Sequence, residues 1–159
     1  MWFSRKQLAK TPTGNGASAA GADTQPSQIT TKRLGDAAES LARDHLVRAG
    51  LTALQANYRT PGRGGGEVDL IMRAPDGTLV FVEVRQRKNS SHGGAGASIG
   101  ATKQRRLIFA ARHYLMRFAT PPPCRFDVVL VEGGLDAPGA TTIEWLRGAF
   151  DADGHWPRL

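Results

Sequence analysis

The chain has 159 residues, 40% of them apolar, with one cysteine and a formal net charge of +7. That suits one compact domain plus a tail, and it excludes an intramolecular disulfide or a thiolate zinc cluster. No apolar run approaches the length of a membrane span, and the start, Met1 to Lys6, lacks the apolar core of a secretory signal, so a cytoplasmic protein is expected.

Residues 1–30 are rich in Gly, Ala, Ser, Thr and Gln. Such a segment buries too little apolar surface to offset its ordering entropy and is expected to be a flexible extension. A domain over 31–150 follows, and 151–159 reads as an irregular tail. Leu34, Ala37, Ala38, Leu41, Ala42, His45 and Ala49 form one helical stripe. Thr30 or Thr31 would cap its start and Gly50 its end. A strand is expected over 51–59, then a turn at Pro61–Gly65. That turn is no phosphate-binding loop, because no Gly-Lys-Ser/Thr closes it and no helix follows.

Two strands, about 66–73 and 78–86, flank Ala74-Pro75-Asp76-Gly77 and form a hairpin. Folded about Asp76, the register sets Arg73 opposite Leu79, Ile71 opposite Phe81 and Asp69 opposite Glu83. Residues 88–97 read as a loop, 99–118 as a second helix, 124–131 as a strand and 141–146 as an edge strand, with irregular chain beyond Arg147. In the second helix Leu107, Ala111, Tyr114, Leu115 and Phe118 form the apolar stripe, and Lys103, one turn earlier on it, points inward or along the sheet, unlike Arg105 and Arg106. Pro121-Pro122-Pro123 stops this helix. The fold class is therefore α/β, a mixed central sheet flanked by helices, with the second helix as a crossover.

Opposed carboxylates repel on a sheet and need a cation between them. A divalent metal meets that need, since magnesium takes one or two carboxylates, waters and substrate phosphate. Asp69 and Glu83 would supply the carboxylates, the Val84 carbonyl a further oxygen, and Arg85 or Lys103 a cation at the phosphate. The plainer alternative leaves both acids solvated on an open face. Glu39, beside the first helix's apolar stripe, either reaches this centre through water or stays an exposed helix glutamate.

Between Glu83 and Asp127 there is no acid, only Arg85, Arg87, Lys88, Lys103, Arg105, Arg106, Arg112, Arg117 and Arg125. That is an electrostatic footprint for a polyanion, most simply nucleic acid. With Arg59, the residues Arg85, Arg87, Lys88, Lys103, Arg105 and Arg106 are the candidate nucleic-acid contacts. Asn57 is a further candidate, while Tyr58 is expected to pack. Asp127 reads equally as a site residue or as a structural ion pair with Arg59 or the neighbours of Arg125. His45 reads as a core histidine, and His92 has no partner at metal-ligand spacing.

The ordered runs Gly35-Asp36-Ala37-Ala38-Glu39, Asn57-Tyr58-Arg59, Gly65-Gly66-Glu67-Val68-Asp69-Leu70-Ile71, Phe81-Val82-Glu83-Val84-Arg85-Gln86-Arg87, Lys103-Gln104-Arg105-Arg106 and Arg125-Phe126-Asp127-Val128-Val129 resemble the YraN-type bacterial family. That family is related to the Holliday junction resolvases of the PD-(D/E)XK nuclease superfamily, and the resemblance covers about Leu34 to Phe150. It implies a restriction-endonuclease-like core and a structure-selective endonuclease using Mg2+ or Mn2+ on branched DNA. A homodimer follows by analogy with the two-fold symmetry of a four-way junction. Carried over by motif, Asp69 is the metal-binding acid, Glu83 the acid of the D/E-x-K motif and Glu39 the first-helix glutamate. Arg85 stands where that motif has lysine. Arginine stays protonated and is no general base, so Lys103 is expected to take the lysine's part. The alternative is an inactive nucleic-acid-binding module on the same scaffold.

Overall fold

The computed structural model describes residues 31–87, 99–133 and 141–152. The expected extension at 1–30, the loop with Lys88 and His92, and the tail beyond 152 lie outside the described residues.

Helix α1 (Thr31–Arg48) is followed by strands β1 (Thr52–Arg59), β2 (Glu67–Arg73) and β3 (Leu79–Arg87), helix α2 (Ala101–Leu115), and strands β4 (Cys124–Glu132) and β5 (Thr142–Phe150). The five strands form one mixed sheet in the order β1-β2-β3-β4-β5. Only the β3–β4 pair is parallel, as a helical crossover between them requires.

The middle strands are buried almost throughout and their alternate residues feed two cores. Ile71, Leu79, Phe81, Phe126, Val128 and Leu130 pack under α2. Leu70, Met72, Val80, Val82, Val129 and Val131 pack under α1. The helices therefore cover opposite faces.

Turn chemistry sets the hairpin. Gly77, at φ 88°, closes the turn by donating to Ala74 O at 2.9 Å, and Asp76 Oδ1 accepts from the Thr78 amide at 2.9 Å. The resulting register pairs Arg73 with Leu79 and Ile71 with Phe81, as expected from the turn.

Helix α1 ends in a Schellman cap. Gly50 takes φ 98° and donates to Val47 O, while Leu51 donates to Leu46 O at 3.1 Å. The buried seam of α1 is Ala38, Ala42 and Leu46, which moves the expected stripe off Ala49. Helix α2 stops at Leu115, short of the expected Phe118, which instead donates to Leu115 O in a following turn. The last strand runs to Phe150, beyond the expected end at 146. Its continuation is held by the stacking of Phe150 on Phe126, 4.7 Å between centroids, and by the Gly148 amide on Asp127.

Among the described residues no helix is long and apolar enough to cross a membrane.

Candidate acidic centre and its surroundings

The β2–β3 ladder runs from Arg73/Leu79 to Leu70/Val82, and at its open end Asp69 and Glu83 come together. Asp69 Oδ2 accepts the Val84 amide at 2.8 Å, so a side chain takes a donor that a strand carbonyl would otherwise occupy. The two carboxyls share a side-chain hydrogen bond, with Glu83 as donor and Asp69 as acceptor. Both are nearly buried, at 9% and 8% exposure. Two acids under a helix do not both ionise readily. Burial, then the charge of Asp69, pushes Glu83 up to about 7. Burial also raises Asp69, against the opposing pull of the Val84 amide.

Lys103 enters from the first turn of α2 and sets its ammonium 3.0 Å from Glu83 Oε2. Of the two directions expected of that lysine, inward or along the sheet, it takes the one toward the acids. The contact draws the Glu83 carboxyl back toward its ionised form, against burial and the Asp69 charge.

Lys103 is placed there by a close approach of α2 to the start of β2. A Cβ on Gly66 would stand 2.0 Å from Arg106 O and 2.9 Å from Ala110 Cβ, so only glycine admits the helix. Buried Thr60 closes the loop before it, with Oγ1 accepting the Gly66 amide at 2.7 Å.

Strand alternation breaks beside Asp69. Val68 and Ile71 pack under α2, whereas Leu70 packs under α1. Across β1, Ala56 pairs with Leu70 and Tyr58 with Val68, which brackets Asn57 opposite Asp69. Asn57 has φ 51° and is the one non-glycine residue with positive φ among those described. Its side chain hydrogen-bonds Glu39 of α1. Burial and then the Asp69 charge raise Glu39, so this glutamate belongs to the electrostatics of the centre. Glu67 adds like charge to both Asp69 and Glu39, a contribution the sequence reading overlooked. Among the described residues no three His, Cys, Asp or Glu side chains form a ready-made metal cage.

The basic residues divide. Arg59 pairs with Glu67 at 2.9 Å and Arg87 with Glu132 at 3.2 Å. Arg85 is exposed near the end of β3, and Arg105 and Arg106 are exposed on α2.

Asp127 is wholly buried and structural. It accepts from Arg125 Nε at 3.0 and 3.2 Å, Trp145 Nε1 at 2.9 Å and the Gly148 amide at 3.0 Å. Of its expected ion-pair partners, Arg59 is engaged elsewhere and Arg125 itself takes the role. Tyr58 packs under α2 and its hydroxyl meets His113 Nδ1. His45 is half-buried, edge-on to Trp145.

These features define a mixed α/β protein with a buried pair of acids, a lysine and a neighbouring glutamate at the open end of a hairpin. The chain belongs to the uncharacterised protein family UPF0102, the YraN-type family, which matches residues 38–131. It is 68% identical over 155 residues to a UPF0102 protein of Polaromonas naphthalenivorans (strain CJ2), covering 96% of this chain and 99% of that one. A UPF0102 protein of Polaromonas sp. (strain JS666 / ATCC BAA-500) is 64% identical over 157 residues, covering 96% and 99%. One from Albidiferax ferrireducens is 69% identical over 123 residues, covering 77% and 91%.

Proposed function

We propose that the chain is a divalent-metal-dependent endonuclease of DNA, structure-selective and resolvase-like, built on a PD-(D/E)XK core. The observation that carries this reading is the buried contact of Asp69 with Glu83 beneath the Lys103 ammonium. A carboxylate pair is costly to bury and ionise, and a divalent ion offsets that cost. Glu83 Oε2 is buried and held by the Lys103 ammonium 3.0 Å away, so an ion bound there would share that oxygen with the lysine. Two carboxylates with waters suit Mg2+ or Mn2+, and the fit is supported on that ground. Asp69 and Glu83 would hold the ion, with Glu39 contributing through water. The bound ion would supply charge at the phosphate and lower the pKa of an attacking water.

The chain's own groups do the rest. The Val84 amide orients Asp69, and Asn57 orients Glu39. Lys103 supplies the positive charge that a D/E-x-K lysine would, entering from α2 rather than from β3. Arg85, an arginine and so no general base, serves phosphate binding. The exposed basic residues of α2 and β3 would take branched DNA, and a homodimer suits a two-fold symmetric junction.

The test incubates purified protein with four-way, flapped and linear DNA in Mg2+ or Mn2+. Cleavage is expected to vanish in Asp69→Ala and Glu83→Ala. The absence of metal-dependent cleavage of any substrate, alongside salt-sensitive binding, would replace this reading with that of an inactive binding module.

A further inference from the structure

The outward face of α2 carries an aromatic ring among arginines that the acidic centre does not use. Phe109 is 53% exposed. At 3.6 residues per turn it lies near the middle of the solvent arc, with Arg106 about 60° to one side and Arg105 and Arg112 about 40–60° to the other. Met116 follows on the same line, 78% exposed. No acidic residue occurs in α2, and no described carboxylate forms an ion pair with Arg105, Arg106 or Arg112. Arg106 lies one turn after Lys103, so this face adjoins the acidic centre.

A solvated helix face needs arginines but gains nothing from a phenylalanine at its crest. The charge decides what covers it. A second copy docked helix to helix would press two sets of arginines together with no acid between them. An anionic bilayer offers countercharge, but two apolar side chains give a shallow anchor. Unpaired nucleic acid offers both countercharge and exposed π faces. Bases inside a duplex are stacked away from such a ring.

We infer that the α2 face binds unpaired nucleotides, with phosphates on Arg105, Arg106 and Arg112 and a base stacked on Phe109. This rests on the endonuclease reading only in specifying its substrate: a branched DNA presenting unpaired bases beside the acids.

The test measures fluorescence anisotropy of the full chain in EDTA, with a labelled 12-nucleotide single strand and with a duplex of the same length. Without metal there is no cleavage, so failure here is distinct from failure of the nuclease assay. Phe109→Ala is expected to weaken single-strand binding roughly tenfold and duplex binding less than twofold, since base–aromatic stacking acts on exposed bases. Arg105→Gln with Arg112→Gln should lower the slope of log affinity against log salt by about 1.4 for the single strand. Unchanged single-strand affinity in Phe109→Ala, or an equal loss on duplex, would overturn the inference. So would Phe109-dependent binding to phosphatidylglycerol vesicles that exceeds binding to the oligonucleotide, or a dimer that Phe109→Glu splits.

Discussion

Lys103 and Glu83 meet 3.0 Å apart across the crossover from β3 to α2, ammonium to carboxyl oxygen. Removing the lysine leaves the acid buried beside Asp69 without its cation. Lys103 is itself 37% exposed, so Lys103→Ala should cost about 1–2 kcal/mol, less than the 3–5 kcal/mol of a fully buried broken pair. Chemical denaturation at pH 7.5 checks this. In the nuclease assay Lys103→Ala should abolish cleavage while Arg85→Ala weakens substrate binding. The reverse pattern would return the catalytic cation to β3.

Glu83 makes stability depend on pH. Its carboxyl lies at about 7 in the fold against an ordinary 4.5, so between those values the folded chain binds more protons than the unfolded one. Stability from this group is fully present below about 4.5 and is lost as pH rises through about 7. Asp69 and Glu39 are also raised and act with the same sign. Thermal melts from pH 5 to 7.5 should show a falling Tm, with a flatter slope in Glu83→Gln. Added Mg2+ at pH 7.5 should raise the Tm of the parent chain and leave Glu83→Gln unmoved, which tests the metal separately from any cleavage.

Gly66 is the contact through which α2 settles on β2. Its Cβ would collide with the Arg106 carbonyl, a backbone atom that moves only with the helix. Gly66→Ala should therefore cost about 2–3 kcal/mol or more. The displaced helix would also draw Lys103 away from Glu83. Gly35 is the control: it lies within α1, a Cβ there meets nothing within 4 Å, and Gly35→Ala should stabilise by roughly 0.5–1 kcal/mol. Paired denaturation curves for the two variants distinguish steric collision from glycine flexibility.

The hairpin was legible because Asp76-Gly77 fixes one turn and strand alternation carries the register from Arg73 to Ile71. Counting further gave Asp69 opposite Glu83, and the two do meet, though through side chains once the described ladder has ended at Leu70/Val82. Alternation alone could not show that Val68 and Leu70 pack on opposite sides of the sheet, because strict alternation puts residues two apart on one face. Glu39 was visible only as a residue beside an apolar stripe; its tie to Asn57 is a tertiary contact. Gly66 reads as the first residue of a strand, and its role appears only when α2 is laid across it. The tail of β5 was hidden because Gly148 and Ala149 weaken any strand signal, while the buried Asp127 that holds it lies on β4.

Asp127 gathers four hydrogen bonds, two from Arg125 of its own strand and one each from Trp145 and Gly148, and the last two bind the edge strand β5 to the sheet. Truncating Asp127 strands two half-buried side-chain donors, Arg125 and Trp145, each costing about 1–3 kcal/mol when unsatisfied, and frees the amide of exposed Gly148 to water. Asp127→Ala is therefore expected to lose at least about 2 kcal/mol, and Asp127→Asn less, because the amide oxygen still accepts. Neither change touches the acidic centre, so Mg2+ affinity per folded molecule, measured by calorimetry at low temperature on Asp127→Asn, should match that of the parent. A large loss of affinity in a folded Asp127→Asn protein would move this aspartate from scaffold to site.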